Sequence, residues 1–228
     1  MRDKFLLEFK SLKLFDIIWL AICTIGIVVV TLFTNNSALG IIASITGVIY
    51  VILNGNRLSV AFLFGIVNTF VYGITAFQNG LYGDFILNVF YSCPCCIVGF
   101  ILWFKASKTT AKAPIHSFNI KQKILGLVGI ILAIFIFGTI LLFFKDTQPY
   151  LDATTTILSI SAYLCLIFQK KEVWYLFNAS NILSIVMWGI NYSHNQANLA
   201  LLFMFVIYTA NSIMNTVKWE LAYKNARS

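Results

Sequence analysis

The chain has 228 residues, 60% of them hydrophobic and only 11% charged, and its mean hydropathy is +0.86. Soluble domains carry about 25% charged residues, so this composition excludes a soluble enzyme or a nucleic-acid-binding module and leaves no length for a separate soluble domain. The formal net charge of +8 suggests a polyanionic partner only until the basic residues are placed along the chain.

Eight apolar runs of roughly bilayer-spanning length predict transmembrane helices at residues 14–33, 38–53, 59–77, 84–104, 124–144, 151–168, 173–190 and 197–217. The first is not a cleavable signal: Asp3 and Glu8 precede it, the run is too long, and no small-residue cleavage pattern follows. Arg2, Lys4, Lys10 and Lys13 precede this span, and Arg57 separates the second from the third. Lys105, Lys108, Lys112, Lys121 and Lys123 follow the fourth, Lys170 and Lys171 the sixth, and Lys218, Lys224 and Arg227 the eighth. The alternate loops hold Lys145 alone. Basic loops stay cytoplasmic, so the charge reports a multi-pass topology with both termini inside, and the lipid bilayer, not nucleic acid, is the partner.

The second half of the chain overlays on the first. GIVNTFVY (65–72) falls on NASNILSI (178–185), matching Asn68 with Asn181, and the basic turns NGNR (54–57) and QKKE (169–172) fall together. The expected architecture is all-α and integral to the membrane: two parallel three-helix repeats joined by a linker helix, plus an extra N-terminal helix. Residues 1–37 form the N-terminal segment and extra helix, 38–104 the first repeat, 105–150 the basic loop and linker, 151–217 the second repeat and 218–228 a cytoplasmic tail. Parallel repeats are a transporter architecture, with substrate bound between the units.

The chemistry is nearly free of charge. Asp84 and Asp152 are placed near the outer ends of their helices, Glu172 near an inner end, and none is expected at mid-depth, where ion-driven carriers keep their acids, so no buried acid is expected. His116 and His194 are assigned to loops on opposite sides, so neither a metal site nor a catalytic pair is available, and no cofactor motif is present. The spans hold neutral polar and aromatic groups instead. Asn68, Asn88, Tyr91, Asn178, Asn181, Asn191 and Asn211 interrupt otherwise apolar runs. Such amides serve either helix–helix hydrogen bonding or a ligand. Trp174, Phe177, Asn178 and Asn181 share one helical face, suited to a flat polar or cationic ring.

Three stretches, LYGDFILNVFY (81–91), YLDATTTILS (150–159) and Glu172-Val173-Trp174 continued by Phe177, Asn181 and Ser184, together resemble the Pnu family of bacterial vitamin transporters. The resemblance covers the chain from about residue 38. It implies a fold related to the SWEET sugar transporters and import of nicotinamide riboside by facilitated diffusion across the bacterial inner membrane, with a cytoplasmic kinase trapping the product. Thiamine, riboflavin or a deoxynucleoside are alternative substrates within the family. The family's paired aromatics and following Asn or Asp fall on Trp174, Phe177 and Asn181, and its Leu-Asn-x-Phe-Tyr on Leu87, Asn88, Phe90 and Tyr91. Where relatives carry a substrate-holding glutamine, this chain has Cys96. The expected substrate-binding set is therefore Asn68, Asn88, Tyr91, Cys96, Trp174, Phe177, Asn178 and Asn181. No catalytic or metal-ligating residue is expected, and self-association is left open.

Cys93-Pro94-Cys95-Cys96 also has the spacing of a thiol–disulfide motif, which keeps a membrane redox protein as a rival reading. Within a span, however, a thiol mostly packs, and nothing at that depth supplies the positive charge a reactive thiolate needs. Pro94 is expected to disturb its helix.

Overall fold

The computed structural model describes residues 7–33, 37–106, 114–195 and 199–225; Arg2, Asp3, Lys4, Lys108, Lys112 and Arg227 lie outside the described residues. Among the described residues, a helical turn at 7–10 is followed by eight helices long and apolar enough to cross a membrane. They are α1 (Leu14–Phe33), α2 (Ala38–Gly55), α3 (Ala61–Gln78), α4 (Tyr82–Ala106), α5 (Ile120–Phe143), α6 (Pro149–Ile167), α7 (Val173–Asn195) and α8 (Leu199–Asn225). The spans expected from hydropathy coincide with these helices to within a few residues at most ends. Helix α5 starts earlier than its apolar run because Asn119 and Gln122 form a reciprocal capping box. Helices α7 and α8 outlast their apolar runs, so His194, expected in a loop, lies in the last turn of α7.

Four helix ends share one device. At the close of α2, α3, α5 and α6 the chain enters a positive-φ residue, Arg57, Gly80, Lys145 and Gln169 respectively. The next amide reaches back to a carbonyl one turn inside the helix: Leu58 to Leu53 (3.2 Å), Leu81 to Ala76 (3.0 Å), Asp146 to Leu141 (3.1 Å) and Lys170 to Cys165 (2.7 Å). These Schellman closures satisfy carbonyls that the helix ends would otherwise leave without an intrahelical partner. Only one of the four uses glycine. At the other three the closing hydrogen bonds offset the cost of a left-handed residue with a side chain.

Helix α4 is interrupted at Leu87–Ser92 by a π-helical segment, in which the Cys93 amide bonds the Asn88 carbonyl five residues back. Pro94 follows two residues later, so the widened turn sits where a proline removes a donor and crowds the preceding carbonyls. The disturbance expected from Pro94 thus takes the form of a wider turn.

Helix packing defines a ring. Contacts run from α2 to α3, α3 to α4, α4 to α6, α6 to α7, α7 to α8, and from α8 back to α2. Helix α1 docks outside the ring against α2 and α8, while α5 docks outside against α6. Both outer helices keep most of their surface exposed, as lipid-facing helices do. Two seams close the ring by side-chain donation to main-chain carbonyls. Asn211 Nδ2 reaches Val51 O at 3.1 Å and Trp219 Nε1 reaches Gly55 O at 3.1 Å across α8–α2, while Tyr91 Oη reaches Ile160 O at 3.1 Å across α4–α6. Small residues bring the helices close: a Cβ on Gly83 would lie 2.8 Å from the Asp152 carboxyl carbon.

The basic end of the bundle is pinned by carboxylates. Glu8, expected only as a charge ahead of the first span, is buried and caps the start of α3, accepting from Ser59 Oγ (2.5 Å) and Val60 N (3.0 Å). Asp16 pairs with Lys218 at 2.7 Å, joining α1 to α8. Glu172 accepts from Ser117 Oγ (2.6 Å) and Phe118 N (3.2 Å) and pairs with Lys123 (2.9 Å), which fastens the segment ahead of α5 to the α6–α7 turn. Lys171 and Tyr175 both reach Glu220.

Candidate functional site

A cavity of about 70 Å³ lies inside the ring. It is lined by Tyr50, Val51 and Asn54 of α2, Asn68 and Tyr72 of α3, and Asp84, Leu87 and Asn88 of α4. Ser159, Tyr163 and Leu166 come from α6, Trp174, Phe177, Asn181 and Ser184 from α7, and Met204, Phe205 and Tyr208 from α8. Every ring helix contributes, and neither outer helix does. The wall is seven aromatic rings interleaved with four carboxamides. Trp174 and Phe177 are tilted at 52° with centroids 6.0 Å apart, and Tyr163 meets Phe177 edge-on at 5.7 Å. Three buried polar atoms on this wall have no hydrogen-bond partner among the described residues, Trp174 Nε1, Asn54 Oδ1 and Tyr208 Oη. Buried polar groups are nearly always paired, so these three mark places where a ligand's own polar atoms fit.

Five of the eight residues expected from the sequence line the cavity: Asn68, Asn88, Trp174, Phe177 and Asn181. The other three stand behind it. Asn178 is engaged on both sides of its amide, donating to Thr216 Oγ1 (3.0 Å) and accepting from Ser212 Oγ (2.6 Å). Ser212 in turn is the partner of Asn181 Nδ2 at 3.5 Å, so Asn178 reaches the wall only through its neighbour. Tyr91 belongs to the α4–α6 seam, its ring edge-on to Tyr163 at 6.5 Å. Cys96 is completely buried with its thiol 3.7 Å from the Tyr50 hydroxyl, a layer behind a residue that does face the cavity. All five cysteines are free.

One expectation is overturned. The spans hold buried acids: Asp16, Asp84 and Asp152 are all buried, and Asp84 is part of the cavity wall. Sequence position placed Asp84 and Asp152 at helix ends, but the ends of neighbouring helices close over them. Asp84 accepts from the Tyr72 hydroxyl, which itself accepts from Trp188 Nε1 at 2.8 Å. Asp152 accepts from Gly83 N (2.8 Å) and Thr156 Oγ1 (3.3 Å), and Asp146 from Tyr82 N (3.1 Å) and Gln148 N (2.7 Å). The first turn of α4 is thereby tied to the start of α6. The tyrosines of the wall were also missed. Their signal was a hydroxyl at mid-span, which requires a partner inside the bilayer.

The architecture has known counterparts. A family model described as "Nicotinamide mononucleotide transporter" matches residues 37–221. The chain belongs to that family. The match starts just ahead of α2, so it spans the ring helices and α5 and leaves α1 out. Two curated relatives bear the name nicotinamide riboside transporter PnuC. The one from Neisseria mucosa is 28% identical over 92% of this chain and 82% of its own length. The one from Haemophilus influenzae is 26% identical over 93% of this chain and 92% of its own. A crystal structure titled as the vitamin B3 transporter PnuC superposes with a TM-score of 0.84 at 28% identity, covering 94% of both chains. This multi-pass membrane protein is therefore a transporter, not an enzyme, which disposes of the thiol-redox reading of Cys93 and Cys96.

Proposed function

We propose that this family member imports nicotinamide riboside across a bacterial inner membrane by facilitated diffusion, with both termini in the cytoplasm. The observation that carries the substrate is the cavity wall: aromatic faces to stack a flat ring, carboxamides to bond its amide and the ribose hydroxyls, and no Lys, Arg or His among the lining residues. A phosphate group has no cationic partner on such a wall, which favours the riboside over the mononucleotide of the family's description. The same property keeps a kinase's phosphorylated product inside once it forms. Asp152 and Asp146 do not argue for ion coupling, because both are occupied by main-chain and hydroxyl donors.

The ring also supports a reading as two three-helix units, α2–α4 and α6–α8, with α5 as linker and α1 as an addition. Their middle helices carry Asn68 and Asn181, and their first helices end in the same left-handed closure at Arg57 and Gln169. In this reading Asn68, Asn88, Trp174, Phe177 and Asn181 contact substrate directly, while Tyr91, Cys96 and Asn178 position the residues that do.

Purified protein in liposomes tests the function. Labelled nicotinamide riboside should enter until it reaches electrochemical equilibrium and no further, at a rate indifferent to proton or sodium gradients at fixed membrane potential. The mononucleotide should not compete. Accumulation beyond equilibrium without a kinase would contradict facilitation, and competition by the mononucleotide would contradict the substrate.

A further inference from the structure

We propose that Asp84 sets the charge selectivity of the cavity, so that the site takes a cationic ring in preference to a neutral ring of the same shape. This deepens, and rests on, the nicotinamide riboside reading, since that molecule carries its positive charge on the pyridinium nitrogen. Asp84 is the one side chain with a formal charge among the described residues that line the cavity, and it is buried within the ring. Low-polarity surroundings screen a charge poorly, so its field acts over the length of the cavity. The wall offers no basic group to neutralise it. Its nearest partner is the Tyr72 hydroxyl, a neutral donor aligned by Trp188 Nε1, which holds the carboxylate in place without cancelling its charge. The unpartnered Trp174 Nε1 and Asn54 Oδ1 on the same wall independently mark this cavity as a ligand's place. Aromatic faces alone favour a cation only modestly; a buried carboxylate adds a full counter-charge.

The test compares nicotinamide riboside with its reduced dihydro form, which has almost the same shape and hydrogen-bonding groups but no charge. Binding of both is measured by calorimetry on purified protein, with thermal melts checking that each variant folds. The wild type should prefer the cation. Asp84→Asn should weaken cation binding by about 30-fold, the effect of removing one partner of a buried charge pair, and leave the neutral form within about threefold, abolishing the preference. Asp84→Glu keeps the charge and should keep the preference, which leaves the inference open to refutation if Asp84→Asn does not fold. A preference ratio unchanged in Asp84→Asn, or abolished in the charge-retaining Asp84→Glu, would overturn the inference alone. A wild type that binds neither form would overturn the riboside reading and the inference with it.

Discussion

Asn68 and Asn181 sit on helices three places apart in the six-helix ring, α3 and α7, and face the same cavity. Their amides are not equally committed. Asn68 Nδ2 donates to the Ala43 carbonyl at 2.8 Å, whereas Asn181 Nδ2 is 3.5 Å from Ser212 Oγ, the outer limit for a hydrogen bond. Asn181 thus loses little when it turns its donor to a ligand. Asn181→Leu should abolish substrate binding in calorimetry while melting near the wild-type temperature. Asn68→Leu should lower the melting temperature as well, since it also breaks an interhelical bond of about 0.6–2 kcal/mol. Wild-type affinity in Asn181→Leu would remove α7 from the site.

Trp174 gives a prediction in which stability and binding move in opposite directions. Its indole N–H is buried without a partner, a state that costs about 1–3 kcal/mol. Trp174→Phe relieves that cost and keeps a stacking face, so the ligand-free protein should melt at the same or a higher temperature. Substrate binding should weaken by about 0.5–1.5 kcal/mol, the net value of one hydrogen bond. Phe177→Ala should weaken binding by roughly 1–3 kcal/mol through lost stacking. Binding unchanged in Trp174→Phe would mean that the indole nitrogen meets no ligand atom.

Much of this was legible before the fold. Apolar runs placed the eight spans because the bilayer sets helix length, and the α7 face from Trp174 to Asn181 followed from helical spacing. What hydropathy could not show is which polar residues face inward across the ring and which face a neighbour. Asn178 and Asn181 lie three residues apart, yet only Asn181 lines the cavity, because α8 presents Thr216 and Ser212 to the other amide. The error over Asp84 has the same origin. Depth along one helix says nothing about what the adjacent helices fold over it, here Tyr72 from α3 with Trp188 of α7 behind it. The tie from Glu8 to the start of α3 joins residues about fifty positions apart and leaves no local pattern.

Cys96 tests the second layer. It is fully buried, and its thiol both contacts the Tyr50 hydroxyl and lies where a Cβ on Gly65 would be 2.9 Å away. A glutamine there would have to push Tyr50 toward the cavity, so Cys96→Gln should destabilise the protein by about 1–3 kcal/mol, the usual cost of overpacking, and weaken substrate binding through Tyr50. In a variant retaining Cys96 as its sole cysteine, a water-soluble thiol reagent should react slowly and only as the ring opens. Rapid labelling, slowed by substrate, would instead put Cys96 on the transport path.

The clamp at Glu172 predicts a pH dependence. Burial acts to raise the pKa of this carboxyl, but the Ser117 hydrogen bond and the Lys123 contacts outweigh it and hold the value below the ordinary 4.5. A depressed folded-state pKa means that the stabilisation is complete above the ordinary value and fades as the pH falls through the folded one. The segment before α5 should therefore stay fastened to the α6–α7 turn at neutral pH and loosen in acid. Lys123 is 41% solvent-exposed, so salt should weaken the ion pair and leave the hydrogen bonds to Ser117 and Phe118 as the firmer part. Amide exchange is the readout, followed at His116 and Lys171, whose N–H groups bond Gln169 O and His116 O at 2.8 and 2.9 Å. Protection at both should drop between about pH 7 and about pH 3.5, and Glu172→Gln should show low protection throughout with no further loss in acid. Equal protection across that range in the wild type, or a Glu172→Gln variant that still responds to acid, would show that another group holds the two segments together.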